Sequence, residues 1–300
     1  MSRISSNALG ALFMMLSMAG YVINDVFMKL VLVDLPLFQS IFLRGLFAAV
    51  LIFLLCWFMG AFKTEQGIVH ALKHKMVLWR ILGEVMSTYF FLEALRHMPI
   101  ANVTAVLQVL PLTITLSAAV FLGEKVGWRR YGAIILGLIG VLIIIRPGAA
   151  DFNVFAIYAL AATVFVTLRD IATRSLPSST PSLLISLLTA ISTLTMGAIG
   201  SQFETWQPME QSHLIHLLGA SGIIVVGYIF SIQAMRVGDV GFISVFRYSA
   251  LIWALLLGYF VFGDVPLVIE IIGALIVVGS GLFSFYRERV IAKTASQKPT

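Results

Sequence analysis

Ten apolar runs limit what this chain can fold into. They lie near residues 8–30, 37–60, 76–95, 100–122, 129–146, 153–172, 182–201, 214–235, 240–262 and 266–286 of the 300-residue sequence. Each is about long enough to cross a ~30 Å hydrocarbon core as an α-helix. A helix can do so because it pairs its own backbone polar groups, whereas a membrane barrel would show ~10-residue segments of alternating polarity. Only 11% of the residues are charged, against about 25% in a soluble domain. The connections are short and leave no room for a soluble domain. The expectation is an all-α integral membrane protein with ten transmembrane helices, called helices 1 to 10 in chain order.

The formal charge of +6 invites a nucleic-acid reading, but its distribution argues for topology. With the N-terminus in the cytoplasm, thirteen Lys/Arg fall on the inner side: Arg3, Lys63, Lys73, Lys75, Lys125, Arg129, Arg130, Arg174, Arg236, Arg287, Arg289, Lys293 and Lys298. Arg96 and Arg146 alone fall outside, and the other five (Lys29, Arg44, Arg80, Arg169, Arg247) lie within apolar runs. That bias predicts a multi-pass membrane protein with cytoplasmic N- and C-termini. No nucleic-acid partner is implied. The single cysteine, Cys56, excludes an intrachain disulfide and reads as a small core or lipid-facing residue.

The chain also repeats itself. Glu93-Ala94-Leu95-Arg96 returns 140 residues later as Gln233-Ala234-Met235-Arg236, and Phe121-Leu122-Gly123-Glu124 returns as Val261-Phe262-Gly263-Asp264. At an offset of 145, Asp25, Lys29 and Pro36 fall on Asp170, Arg174 and Pro181. The reading is two versions of one five-helix unit, 1–148 and 149–286, followed by a basic cytoplasmic tail, 287–300. Five crossings is an odd number, so the second unit lies upside down relative to the first. Inverted repeats are characteristic of secondary transporters, with the substrate site near the bilayer midplane. The same symmetry predicts that helix 1 is retained rather than cleaved as a signal peptide, because helix 6 matches it.

Polar residues inside the runs are the candidates for chemistry, since a charge at the helix centre costs ~2.5–3.5 kcal/mol to insert. Helix 1 carries Tyr21, Asn24, Asp25 and Lys29; helix 2 carries Arg44; helix 3 carries Arg80, Glu84 and Tyr89. Helix 4 has Thr104, Gln108 and Thr115 on one stripe with Pro111, whose ring frees a backbone carbonyl. Helix 6 has Thr163, Thr167, Asp170 and Arg174 on one stripe, and helix 9 has Ser244, Arg247 and Tyr248. Helix 7 is Ser, Thr and aliphatic, and carries no chemical signal. Helix 8 adds little beyond Tyr228, Ser231 and Gln233. Glycines on helices 5 and 10 predict close helix packing or a homodimer contact. Glu124 and Asp264 precede helices 5 and 10, where the helix dipole favours a carboxylate.

Enzyme motifs are absent, and the histidines lie at membrane edges without acidic or Cys partners at ligand spacing. No metal and no cofactor is expected.

With these residues in view, the chain resembles the ten-helix EamA-type drug/metabolite transporters over nearly its full length. The resemblance rests on the doubled unit, on Gln108-Val109-Leu110-Pro111, on Phe121-Leu122-Gly123-Glu124 with its echo, and on the glycine-rich helices 5 and 10. Asn24-Asp25, Phe42-Leu43-Arg44 and Phe246-Arg247-Tyr248 are similar to the branch that includes S-adenosylmethionine and riboflavin uptake carriers. The resemblance implies a central cavity lined by helices 1, 3, 4, 6, 8 and 9 and closed alternately at each face. Substrate and direction of transport stay open.

The expected function is therefore secondary active transport of a small polar or amphipathic metabolite, amino-acid-like or nucleoside/cofactor-like, by alternating access. The basic excess within the runs points to an anionic or zwitterionic group on it. A membrane-embedded enzyme and a passive pore or scaffold are the alternatives. The substrate-binding candidates are Arg247, Tyr248, Glu84, Gln108, Tyr21, Asn24 and Tyr89, with Arg44 and Pro111 structural or binding. Glu84, at mid-span, is also the candidate for proton coupling. Asp25–Lys29 and Asp170–Arg174 are expected to act as gate ion pairs, one per membrane face.

Overall fold

The computed structural model describes residues 6–63, 75–121, 127–147, 152–176, 182–237 and 243–296. Among these residues there is no strand. The helices are α1 (Ser6–Leu32), α2 (Leu37–Phe58), α3 (Lys75–His97), α4 (Ile100–Phe121), α5 (Trp128–Ile145), α6 (Phe155–Arg174), α7 (Ser182–Gly200), α8 (Gln211–Val237), α9 (Val245–Phe262) and α10 (Val268–Ser296). Nine of those described are long and apolar enough to cross a membrane. The tenth, α3, has 23 residues; at ~1.5 Å per residue it spans ~35 Å, which is sufficient. Lys75, Arg80, Glu84, Glu93 and Arg96 dilute its hydropathy. Phe58, Phe121, Trp128 and Phe260 are each more than three-quarters exposed, an outward apolar surface suited to lipid. The protein is an all-α, multi-pass membrane protein.

Two helices are broken. Pro111 has no N–H to give the Leu107 carbonyl, and α4 divides into Ile100–Leu107 and Leu110–Phe121 around Gln108 and Val109. Tighter bonds bridge the gap, with Gln108 N–H donating to the Thr104 and Ala105 carbonyls and Val109 N–H to Val106. The freed region is further knitted by Thr115, whose hydroxyl donates to the Pro111 carbonyl at 2.8 Å. In α9 a 3₁₀ turn over Ser244–Tyr248 precedes Ser249–Leu257, and a π turn over Gly258–Phe262 ends it. Gly263 follows with φ +70°, a left-handed conformation that glycine adopts without strain. The α10 helix continues through Ser296, so the basic stretch from Arg287 begins as helix.

The chain packs as two compact units, and each draws on both halves of the sequence. One comprises Met1–Ala19, Met98–Ala156 and Gly227–Thr300; the other comprises Gly20–His97 and Ile157–Val226. The first is built on α4, α5, α9 and α10, the second on α2, α3, α6 and α7.

In the first unit α5 and α10 run antiparallel and touch backbone to backbone. A Cβ on Gly140 would lie 2.8 Å from the Gly273 carbonyl oxygen, and one on Gly273 would lie 2.7 Å from that of Gly140. That contact is made within one chain, whereas Gly132 and Gly279 are exposed and a Cβ on either would meet nothing within 4 Å. The start of α10 is capped by Glu270, whose carboxylate accepts the Leu267 N–H at 2.8 Å. Asp264, expected to serve that end, lies further upstream; Glu124 falls outside the described residues.

In the second unit α2 and α7 run antiparallel in the same manner. A Cβ on Gly45 would lie 3.0 Å from the Leu194 Cα, and one on Gly197 would lie 2.5 Å from the Phe42 nitrogen. Ala49, Ile52, Cys56, Leu184, Leu187 and Ala190 fill the seam below. Helix 7, without chemical signal in its sequence, is the packing partner of α2. Glu204, just beyond α7, accepts the N–H groups of Phe38 (2.9 Å) and Gln39 (3.1 Å) at the start of α2. Gln39 and the Gln207 backbone exchange two 2.9 Å bonds. Beside them His213 accepts the Glu210 N–H at Nδ1, which leaves its Nε2–H to donate to Asp34 at 3.1 Å.

Candidate functional site

Four charged residues of the second unit gather where α3 and α6 cross. A Cβ on Gly83 would lie 2.8 Å from both the Arg169 nitrogen and the Phe165 oxygen, so the two backbones meet there. That approach delivers Arg169 to Glu84: Nη1 donates to Oε2 at 3.3 Å. Arg80, one turn from Glu84, stands 3.7 Å from the same oxygen. Arg169 also clasps its neighbour Asp170, with Nε and Nη2 each 2.8 Å from Oδ1. Two cations and two carboxylates thus form one network in otherwise apolar helices, with Glu84 only 12% exposed at its side chain. Mutual neutralisation is what lets such charges persist away from water. Thr163 and Thr167 are buried and donate to the Ala159 and Thr163 carbonyls of their own helix.

A second polar group links α1 to α2. Asn24 is buried and faces both ways: its amide nitrogen donates to Asp25 at 2.9 Å, and its oxygen accepts from Arg44 Nη1 at 3.5 Å. Ser221 of α8 donates to the Arg44 carbonyl at 3.2 Å. Arg44 is therefore tied to the Asn24–Asp25 step of α1. Lys29 and Tyr21 are half-buried on the same helix, and Met14 and Met28 are fully buried packing residues. The Arg174 side chain lies outside the described residues.

Aromatic rings continue the α3–α6 seam. Tyr89 stacks on Phe38 at 5.8 Å, and Phe90 stacks on Phe165 at 5.6 Å and meets Tyr158 edge-on at 5.4 Å. The pairing of Gly83 with Arg169 and of Phe90 with Tyr158 shows that α3 and α6 are antiparallel.

The first unit holds the remaining candidates. Gln108 is buried at the break in α4. Arg247 and Tyr248 diverge: Arg247 is exposed, whereas the Tyr248 hydroxyl is buried against Gly281 of α10. Gly281 has to be a glycine for that ring to fit. A separate pocket of about 290 Å³ is lined by Asn102, Arg146, Asn153, Asp264 and Glu270 among others. Asn102 donates to Glu270 there at 2.7 Å, joining α4 to α10. Arg146 ends α5 in a left-handed conformation, φ 48°.

The structure thus brings Glu84 to Arg80 and Arg169, Asn24 to Asp25 and Arg44, and Asp170 to Arg169. Sequence reasoning located Glu84, Arg169 and Asp170 within the apolar runs without joining them. It also passed over Phe90, Glu93, Tyr158 and Glu270. Glu84 and Arg169 are 85 positions apart, and no local signal shows that the two meet. The arrangement suits recognition of charged groups. No nucleophile–base pair is present among the residues just described, nor any metal-binding group of three His, Cys, Asp or Glu among the described residues.

Comparison with known proteins agrees with this picture. The EamA-like transporter family matches residues 8–146. An S-adenosylmethionine uptake transporter of Rickettsia prowazekii is 25% identical over 283 residues, covering 93% of each chain. A riboflavin transporter of Vibrio cholerae is 30% identical over 227 residues, 72% of this chain and 74% of that one. A pseudopaline exporter of Pseudomonas aeruginosa is 23% identical, covering 90% and 93%. A protein known from its crystal structure shares the fold, with TM-score 0.65 over 96% of this chain and 100% of that chain at 18% identity. An all-helical membrane fold and charges held inside its spans, together with these similarities, identify the chain as a membrane transporter belonging to the EamA-like transporter family.

Proposed function

We propose that the chain is a secondary carrier that moves a small polar or amphipathic metabolite by alternating access, with a zwitterionic cofactor of the S-adenosylmethionine type as substrate class. The observation that carries this reading is the four-charge network of Arg80, Glu84, Arg169 and Asp170 within membrane-spanning helices. Ionisable groups at that depth mark substrate or ion pathways. Near-complete coverage of rickettsial S-adenosylmethionine uptake transporters supports the substrate class. Arg247, Tyr248, Gln108, Tyr21, Asn24 and Tyr89 are the further proposed binding residues, and Glu84 is the proposed coupling carboxylate for protons.

Two features support an inverted repeat of 1–148 and 149–286. Counterpart helices α2 and α7, and α5 and α10, pack as antiparallel pairs. A pseudo-two-fold relating inverted halves would produce such pairs. In this reading both termini face the cytoplasm of a bacterial cell, and Asp25–Lys29 and Asp170–Arg174 serve opposite faces. A homodimer through α5 and α10 would have to use their outward faces, such as Gly132, Ile135, Leu136, Leu275 and Gly279, because Gly140 and Gly273 already meet inside the chain.

Counterflow tests the carrier. Proteoliposomes preloaded with unlabelled S-adenosylmethionine should transiently accumulate the labelled compound above equilibrium. Entry without overshoot would replace the carrier by a pore. No entry would remove this substrate class.

A further inference from the structure

One half-buried glutamate near the C-terminal end of α3 has no role in the networks above. Glu93 Oε2 is shut off from solvent and has no hydrogen-bond partner among the described residues. A carboxylate oxygen left bare in this way is among the costliest polar groups to bury, so a site that keeps one is short of a cation or a donor.

The surroundings restrict what can complete it. Tyr89 lies one turn before Glu93 on the same helix and is within electrostatic reach of both Glu93 and Tyr158. The Tyr89 and Tyr158 rings stand 6.5 Å apart and tilted by 48°, which makes an open V. Phe90 meets Tyr89 and Tyr158 edge-on, at 71° and 64°, and its own face is taken by Phe165. Phe38 covers one face of Tyr89. Aromatic walls with one carboxylate do not suit a metal ion, which demands several oxygen, nitrogen or sulfur ligands. They suit a large, weakly hydrated cation, attracted by the ring faces and neutralised by the single acid.

We propose that Glu93, Tyr89 and Tyr158, backed by Phe90, form a subsite for the cationic head of an organic onium ligand, a substituted ammonium or a sulfonium. The subsite deepens the carrier reading, on which its role in transport rests, by assigning the positive group of the substrate to α3 and α6. Its specificity comes from charge held among rings, so a neutral ligand of the same shape gains no more than apolar contact.

Choline and its uncharged isostere 3,3-dimethylbutan-1-ol are the probes. Titrated into the full chain in nanodiscs, choline is expected to bind at least about tenfold more tightly than the isostere, a step of ~1.4 kcal/mol. Glu93→Gln keeps the shape and should abolish that preference. Tyr158→Phe should retain it and Tyr158→Leu should weaken it, because the ring rather than the hydroxyl attracts the cation. Equal binding of the two probes, or an undiminished preference in Glu93→Gln, overturns the subsite. Counterflow of S-adenosylmethionine is measured on the same preparation. Counterflow without choline preference removes the subsite and leaves the carrier reading intact. Choline preference without counterflow leaves the subsite and removes the S-adenosylmethionine-type substrate.

Discussion

Arg169 of α6 donates to Glu84 of α3 at 3.3 Å, beside the point where Gly83 lets the two backbones touch. The two facts are one device. A guanidinium is tolerable here only if a carboxylate is close enough to neutralise it, and the helices come that close only where one of them has no side chain. Gly83→Ala should therefore force α3 and α6 apart, destabilising the protein by about 1–3 kcal/mol. Gly222→Ala in α8 is the control, since a Cβ there meets nothing within 4 Å, and helix propensity alone predicts a neutral or slightly stabilising change. Thermal unfolding in detergent compares the two. Equal effects would mean that the crossing does not depend on Gly83.

Glu84→Gln removes the acid that Arg80 and Arg169 share. The remaining network has two cations against one carboxylate, so the variant should lose about 1–3 kcal/mol. Glu84→Gln with Arg169→Gln removes one charge of each sign and should recover part of that loss, because much of the penalty is the uncompensated partner. Transport separates structure from coupling. If Glu84 carries the coupled proton, uptake by Glu84→Gln loses the wild-type pH dependence. Retention of that dependence would assign Glu84 to architecture alone.

The class of fold was legible from the apolar runs, because lipid leaves a chain few options, and ten such runs correspond to the ten helices seen. Break points were legible where one residue decides them. Pro111 is an example: its missing N–H divides α4 at Gln108 and Val109. Intramembrane charges could be located but not paired. Asp25 takes the amide of Asn24, which in turn holds Arg44 of the next helix, a link that no spacing within one helix announces. Glycines on α5 and α10 promised close packing without saying against what. Their reciprocal contact, Gly140 with Gly273, depends on how two distant helices cross, and helical periodicity does not encode that.

Tyr248 offers a separation of stability from function. Its hydroxyl is buried without a hydrogen-bond partner among the described residues, against Gly281. Tyr248→Phe removes a polar group that the resting fold leaves unsatisfied, so stability should stay level or rise by up to about 1 kcal/mol. If that hydroxyl takes a hydrogen bond from or to substrate during transport, uptake falls in the same variant. Unchanged uptake would take Tyr248 out of the binding set. Gly281→Ala should displace the ring and lower stability, which checks that the packing is as described.

Arg247, exposed one residue earlier, is the natural anchor for an anionic group because its planar fork makes two parallel bonds to a carboxylate. Arg247→Lys preserves charge and removes the fork. Expression and melting behaviour should match the wild type while the apparent affinity for S-adenosylmethionine falls about tenfold or more, the effect of losing ~1.4 kcal/mol. Unchanged uptake kinetics would exclude a two-point clamp at this residue.

The two acids related by the 145-residue offset lead to the last prediction. Local i,i+4 pairing with Lys29 and Arg174 is worth only ~0.2–0.5 kcal/mol on a wet helix, too little by itself to explain carboxylates placed within spans. Their partners are broader: Asn24 and through it Arg44 for Asp25, and Arg169 with its link to Glu84 for Asp170. Each acid thus anchors a contact from its own helix to a neighbour, as a closure must. If the halves are inverted, the two closures serve opposite faces, and a carrier needs one per face. Asp25→Asn should release the outer closure and populate the outward-open form; Asp170→Asn should release the inner one and populate the inward-open form. Cysteines introduced one at a time into a Cys56→Ser background, and labelled from each side of right-side-out vesicles, would read the shift. Opposite shifts in accessibility are expected. A shift in the same direction for both variants, or none for either, would mean that these acids hold the helices together without gating them.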